Sequence, residues 1–387
     1  MRSADARFMR RALTLAGRGL GRVSPNPMVG CVLVKGGRVV AEGWHRRFGG
    51  PHAEPDALRR AGARARGATV YINLEPCCYR GKTPPCTEAL IRAGVRRVVA
   101  AMTDPNPKVS GKGLATLRRA GIAVTTGVLE DEARALNRAF ATWVTRKRPY
   151  VILKAATSLD GRIETSARRS KWITSPEARA LSRRMRAGVD AILVGVGTVL
   201  ADDPHLTASP EGSGARPHTK LRGGRGAASP EGRRDPIRVI LDSRLRIPLR
   251  SKALTGPGRA IIATAVAPNG RVAASEAVHC IRVPRRKGGL DLRALLKKLA
   301  AEGIASLLVE GGSRVHTAFL EAGLVDELRL FMAPRLIGGA AARTFFEGRG
   351  FRTLDASPRL AEIDVRRVGP DLLVTGRITK GKPGRKT

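Results

Sequence analysis

Residues 50–54, Gly-Pro-His-Ala-Glu, and residues 74–86, Leu-Glu-Pro-Cys-Cys-Tyr-Arg-Gly-Lys-Thr-Pro-Pro-Cys, decide how this chain is read. The second stretch leaves a β-rich run over 69–74, and His52, Cys77 and Cys86 each fall near the start of a helix-forming segment. One imidazole and two thiolates can supply three ligands of a tetrahedral zinc and leave the fourth position to water. Zinc brings the pKa of such a water to about 7, so hydroxide is available at neutral pH. Glu54, two residues from His52, is too close to bind the same ion easily and is the candidate proton shuttle.

A lone His-x-Glu is most often an ordinary buried pair. His-x-Glu followed by Pro-Cys and a further cysteine is the pattern of zinc nucleobase deaminases. Outward from it, a strand over 29–34, a Lys35-Gly36-Gly37 turn and a return strand over 38–43 follow a helix whose Phe8, Ala12, Leu15, Ala16 and Leu20 share one face. Strands over 97–102 and 122–126, with helices over 87–93, 114–120 and 130–144, complete a three-layer α/β/α domain over 1–145. The polar, basic stretch 145–149 ends in proline and reads as a linker. Residues 146–380 restart the alternation as a second α/β domain. Its strands are expected over 150–156, 190–196, 237–242, 259–263, 305–309 and 327–332, and its helices over 176–187, 290–301 and 314–322. Residues 205–235, rich in Gly, Pro and Arg without periodicity, read as a mobile loop insertion, and 381–387 as a disordered basic tail.

The chain has 387 residues and a net charge of +39. With 42% apolar residues it is too hydrophobic for a disordered polycation, and its length suits two or more domains with their own cores. Residues 1–146 carry 26 basic and 10 acidic side chains and residues 147–387 carry 45 and 22, so the excess is spread evenly rather than gathered in a phosphate-binding stripe. No specific nucleic-acid partner is expected. The apolar runs 29–34 and 191–196 are far shorter than the roughly 20 residues of a membrane span, so no membrane partner is expected either. The N-terminal residues show no secretory pattern and the five cysteines are an odd count, which points to the cytoplasm, where a cysteine cluster reads as metal-binding or catalytic. Cys31 and Cys280 read as core cysteines, and Cys78 as a small packing residue beside a ligand.

The eight residues between Cys77 and Cys86 are not the tight Cys-x-x-Cys of cytidine and tRNA-adenosine deaminases. Together with residues 26–31 (Asn-Pro-Met-Val-Gly-Cys), 50–54 and 104–107 (Asp-Pro-Asn-Pro), the string 74–86 resembles the bifunctional riboflavin-biosynthesis family. In that family a diaminohydroxyphosphoribosylaminopyrimidine deaminase is fused to a 5-amino-6-(5-phosphoribosylamino)uracil reductase. The similarity runs from about residue 5 to residue 376. It implies a cytidine-deaminase-like domain followed by a dihydrofolate-reductase-like domain, with zinc on His52, Cys77 and Cys86, Glu54 as general acid/base and Asn26 near the pyrimidine. One departure is Cys78-Tyr79 where the family has Ser-His. A phenol donates a hydrogen bond but is no imidazole base.

Residues 154–162 (Lys-Ala-Ala-Thr-Ser-Leu-Asp-Gly-Arg), 170–174 (Ser-Lys-Trp-Ile-Thr), 195–204 and 310–313 (Glu-Gly-Gly-Ser) resemble the reductase half, and no Gly-x-Gly-x-x-Gly fingerprint of ordinary dinucleotide folds is present. The resemblance implies NADPH contacts at Ala156, Trp172, Thr198, Asp202, Ser243, Gly312, Ser313, Arg314, Val315 and His316. It implies substrate contacts at Lys154, Ser170, Arg186, Leu206 and Glu310, with Arg186 suited to the ribose phosphate. Singly, Trp172 reads equally as a core aromatic, Arg186 as a surface charge and Asp202 as a turn former. Ser209 stands where the family has an arginine, and Arg216 is a candidate replacement from the insertion.

The expected activity is hydrolytic deamination of 2,5-diamino-6-(5-phosphoribosylamino)pyrimidin-4(3H)-one, then NADPH-dependent reduction to 5-amino-6-(5-phosphoribitylamino)uracil, by a homo-oligomer. The alternative, raised by the charge and by His-Ala-Glu, is a tRNA adenosine-type deaminase with an accessory domain.

Overall fold

The computed structural model describes residues 2–81, 83–167, 171–208, 235–267, 278–286 and 289–379. Ser170, Ser209, Arg216, nearly all of the expected insertion and the tail lie outside the described residues. The chain divides into two units, Met1–Arg148 and Pro149–Thr387.

The first unit runs α1 (Arg2–Gly17), β1 (Gly30–Lys35), β2 (Arg38–Trp44), α2 (Ala53–Ala61), β3 (Thr69–Ile72), α3 (Cys86–Arg92), β4 (Arg97–Ala100), α4 (Lys112–Arg119), β5 (Ala123–Thr126), α5 (Glu130–Leu136) and α6 (Arg138–Arg146). Side chains of β1 alternate between two cores, as a strand buried on both faces must. Cys31 and Leu33 pack with α2, α3 and α4, while Val32 and Val34 pack with α1, α5 and α6. The sheet order is β2-β1-β3-β4-β5, antiparallel at β1 and parallel from β3 onward, which makes the expected three layers.

Two expectations change here. The helix read over 130–144 is two helices broken at Asn137, whose buried side chain hydrogen-bonds the backbone of Met28. The face carrying Phe8, Ala12 and Leu15 stops at Gly17, and Leu20 lies beyond the helix, 52% exposed.

Gly43 brings β2 onto the helix that carries the site. A Cβ there would lie 2.4 Å from Ala57 N and 2.5 Å from Ala53 O. Gly43→Ala must therefore push α2 off the sheet, and overpacking of this kind costs about 1–3 kcal/mol. A urea titration that left the unfolding midpoint of the first unit unchanged would contradict that close approach.

The second unit runs β6 (Tyr150–Ser158), α7 (Pro176–Arg186), β7 (Ala191–Gly195), α8 (Val196–Asp202), β8 (Ile237–Leu241), α9 (Lys252–Thr255), β9 (Ala260–Thr264), β10 (Val278–Arg282), β11 (Arg285–Arg286), β12 (Gly289–Leu290), α10 (Leu292–Ala301), β13 (Ser306–Gly311), α11 (Ser313–Glu321), β14 (Glu327–Ala333), β15 (Arg359–Val368) and β16 (Asp371–Thr379). Its main sheet has the order β10-β9-β8-β7-β13-β6-β14-β16-β15, with the first seven strands parallel and the last two antiparallel. The parallel strands read as apolar runs because α10 and α11 cover one face and α7, α8 and α9 the other. The hairpin β15–β16 was not expected from the sequence, because β15 is solvent-exposed along most of its length and shows no apolar alternation. Cys31 is fully buried, whereas Cys280 in β10 is only half-buried.

Candidate functional site

In the first unit, His52 immediately precedes α2 with an extended backbone, and Cys86 is the first residue of α3. Cys77 sits in the turn leaving β3. These three bring their ligand atoms within 4.8 Å of one another. His52 Nδ1 lies 3.3 Å from Cys86 Sγ and 3.7 Å from Cys77 Sγ. Tetrahedral zinc, with Zn–N near 2.0–2.1 Å and Zn–S near 2.3 Å, requires N···S separations of about 3.6 Å, so the donor set fits the ion. The other imidazole nitrogen, Nε2, faces the Thr83 hydroxyl at 3.4 Å, leaving Nδ1 as the ligand atom. The Cys86 backbone N–H donates to Cys77 Sγ at 3.4 Å.

Without metal, the Cys77 thiol falls to about 4, held down chiefly by its hydrogen bond with Cys86 and then by His52, against the opposing effect of burial. Glu54, in the first turn of α2, is buried beside the three ligands. Burial, reinforced by the negative charge on Cys77, pushes its carboxyl up to about 7. A carboxyl at that value can both accept and return a proton at neutral pH.

Asn26 is half-buried, its amide 3.1 Å from His45 Nε2, and His45 Nδ1 is 2.8 Å from Pro51 O. His45 was not singled out from the sequence. Burial, partly offset by the Pro51 hydrogen bond, lowers its pKa and favours neutral imidazole. A neutral ring donating from Nδ1 to the carbonyl accepts from the Asn26 amide at Nε2, and Asn26 Oδ1 is left to accept from a ligand. The ring also meets His52 edge to face at 5.4 Å. Two further buried amides hold the approach to β1. Asn73 accepts from Gly30 N and donates to Met28 O, and Asn137 pairs with both polar groups of the Met28 backbone. Only the tertiary pairing reveals them. Tyr79 is 40% exposed under the Lys108 ammonium.

In the second unit, the carboxyl ends of β8, β7, β13 and β6 lie side by side in that order, the usual place for a ligand on a parallel sheet. The expected cofactor residues stand at those ends. Ala156 lies near the end of β6, Thr198 and Asp202 in α8, Ser243 just after β8, and Gly312 to His316 form the cap and first turn of α11. A Cβ on Gly195 would meet Val315 Cγ2 at 2.9 Å, so that turn comes close to α11 because it is a glycine, while Gly312 approaches Thr198 Oγ1 at ordinary contact distance. Among the described residues no side chain caps α11, whose first N–H groups suit a phosphate. Trp172 is 63% exposed and stacked under Arg179 rather than in a core, and Asp202 is exposed with Lys171 at 4.0 Å. Arg314 is exposed, Ser313 Oγ donates to Glu347, and His316 is buried with Nδ1 3.2 Å from Phe345 O.

Arg186 is no surface charge. It grips Glu310 with two hydrogen bonds of 2.9 and 2.8 Å and donates to Thr207 O. Burial alone would raise the Glu310 carboxyl, but Arg186 and Lys154 outweigh it and hold it at about 2. Burial lowers the Lys154 ammonium below its ordinary value. Leu206 buries its side chain in the core with a left-handed backbone (φ 58°), so only its main chain is offered to a ligand.

The family model "RibD C-terminal domain" matches residues 149–374, and the model "Cytidine and deoxycytidylate deaminase zinc-binding region" matches residues 2–102. The chain is 43% identical over 373 residues to the riboflavin biosynthesis protein RibD of Escherichia coli (strain K12), covering 95% of this chain and 98% of that protein. It is 41% identical over 381 residues to the RibD of Aquifex aeolicus (strain VF5), covering 97% and 98%. Among solved structures, Acinetobacter baumannii RibD superposes with a TM-score of 0.86 at 38% identity, covering 98% of this chain and 100% of that one. The diaminohydroxyphosphoribosylaminopyrimidine deaminase/5-amino-6-(5-phosphoribosylamino)uracil reductase of Thermotoga maritima gives 0.82 at 37% identity, covering 98% and 99%. No described helix is long and apolar enough to cross a membrane.

Proposed function

Because the chain belongs to the RibD family of bifunctional riboflavin-biosynthesis enzymes, we propose that its two units act in turn on one phosphorylated pyrimidine, the first as zinc-dependent deaminase and the second as NADPH-dependent reductase. The observation that carries this reading is the His52, Cys77 and Cys86 donor set beside buried Glu54, in a chain whose other half matches the RibD C-terminal domain model. The match of residues 149–374 leaves no ground for the tRNA-deaminase alternative, whose accessory domain would not be a reductase.

In the deaminase, His52 Nδ1 and the two thiolates would hold zinc, which when bound would supply Lewis acidity toward the attacking water. Glu54 takes the proton released from water and returns it to the departing amine, so that water and the amino-pyrimidine become the carbonyl product and ammonia. Asn26, fixed by His45, orients the pyrimidine through its amide oxygen.

In the reductase, Ala156, Trp172, Thr198, Asp202, Ser243 and the stretch of Gly312, Ser313, Arg314, Val315 and His316 hold the cofactor. When bound, NADPH would supply the hydride that turns the ribosyl side chain into a ribityl chain. Lys154, half-buried and near enough to act on the Glu310 charge, would contact the substrate and could hand it a proton on reduction. Arg186 and Leu206 complete the substrate side, and Arg186 acts largely by holding Glu310 ionised. The enzyme works in the cytoplasm, where thiolate ligands stay reduced, as a homo-oligomer.

The test incubates the zinc-loaded full chain with the product of GTP cyclohydrolase II, following ammonia and NADPH. Ammonia is expected without NADPH, and NADPH oxidation only as deaminated product accumulates. Absence of ammonia release would overturn the deaminase half, and an unchanged NADPH signal the reductase half.

A further inference from the structure

We propose that Glu75 is a positioning residue for the metal centre, fixing the turn that presents Cys77. This rests on the zinc reading of His52, Cys77 and Cys86 and deepens it. Glu75 is buried between the end of β3 and Cys77, and its carboxylate touches none of the three ligand atoms. It accepts four backbone N–H groups instead. Oε1 takes Gly113 N at 2.8 Å and Leu114 N at 3.2 Å, and Oε2 takes Asp104 N at 3.0 Å and Gly111 N at 2.9 Å. Its own N–H donates to Met102 O at 3.0 Å. One side chain thus ties the exit of β3 to the exit of β4 and to the first turn of α4, whose cap position is Gly111 and offers no side chain.

Pro76, between Glu75 and Cys77, is clamped by the same contact. A Cβ on Gly113 would lie 2.1 Å from Pro76 O, so α4 rests directly on the peptide that leads to the ligand. On its other side Cys77 is held by the start of α3, with Thr87 N donating to Cys77 O at 3.2 Å and Cys86 N to Cys77 Sγ. Cys77 is therefore pinned from two helices, and Glu75 supplies one of the two pins. Four donors need an acceptor-only group with four lone-pair sites, which a carboxylate is and an amide is not. A glutamine would turn its NH₂ toward two backbone donors and loosen the turn.

The experiment compares Glu75→Gln with the parent as zinc-loaded full-length protein. It measures zinc release to a colorimetric chelator and the visible d–d absorption after cobalt(II) substitution, with NADPH-dependent reduction of separately supplied deaminated substrate as a control for the second unit and far-UV circular dichroism as a control for the fold of the first. Losing a supporting partner of this kind costs roughly 10- to 100-fold in metal retention. We expect release faster by that factor, a shifted cobalt spectrum and an unchanged reductase rate. Glu75→Asp, which keeps the charge and shortens the reach, should fall between the two. Parental zinc release and an unshifted spectrum in Glu75→Gln would overturn the positioning role. So would loss of the whole deaminase fold, since Glu75 would then be an architectural anchor. A parent protein that binds no zinc would instead refute the metal site itself.

Discussion

Glu54→Gln should keep its zinc and release ammonia about 10²- to 10⁴-fold more slowly than the parent, the range a positioned acid–base group contributes. The substitution is nearly isosteric, and the three ligand atoms belong to other residues. What disappears is a group that changes protonation state. In the metal-free parent, burial and the nearby Cys77 charge push that carboxyl up to about 7, so it is a group able both to take a proton from water and to give one to the leaving amine. A glutamine amide does neither. Metal analysis and ammonia release measured on one preparation check this, and undiminished deamination would remove Glu54 from its role.

Arg186→Met should destabilise the reductase unit by about 3 kcal/mol, seen as a lower urea midpoint for unfolding of the second unit followed by circular dichroism. Removing one partner of a buried ion pair costs roughly 3–5 kcal/mol, because the other charge is stranded. Lys154 remains near Glu310 and places the cost at the lower end. The double variant Arg186→Met/Glu310→Gln strands no charge and should recover much of the loss, though not the activity. The pH dependence follows in sign. Glu310 titrates at about 2 in the folded protein against an ordinary 4.5, so its contribution is complete above 4.5 and is lost as pH falls from there toward 2. In Arg186→Met the carboxyl is no longer held down by the guanidinium, and that acid-side loss should shrink. A single variant as stable as the parent would show that the pair is not a structural tie.

Much of this molecule is legible before folding. A strand buried on two faces, such as β1, announces itself through a continuous apolar run, and the parallel strands of the second unit do so for the same reason. The hairpin β15–β16 does not, since an exposed edge imposes no apolar pattern. The helix over 130–144 looks continuous because breaking it at Asn137 serves a bond to Met28, 109 residues away.

Residue type and spacing alone pointed to the proposed metal donor set and its neighbouring acid, because ligand chemistry is carried by a few side chains in short motifs, and the fold brings the three donor atoms within 4.8 Å of one another. They also indicated two α/β units, which the fold shows. The supports of the site were another matter. That Glu75 anchors the Cys77 turn, that His45 orients Asn26 and that Arg186 is spent on Glu310 depend on contacts across 19 to 124 positions of chain. Hydrogen bonds and ion pairs act over about 3 Å of space, whatever the separation in sequence, so only the folded chain assigns those partners.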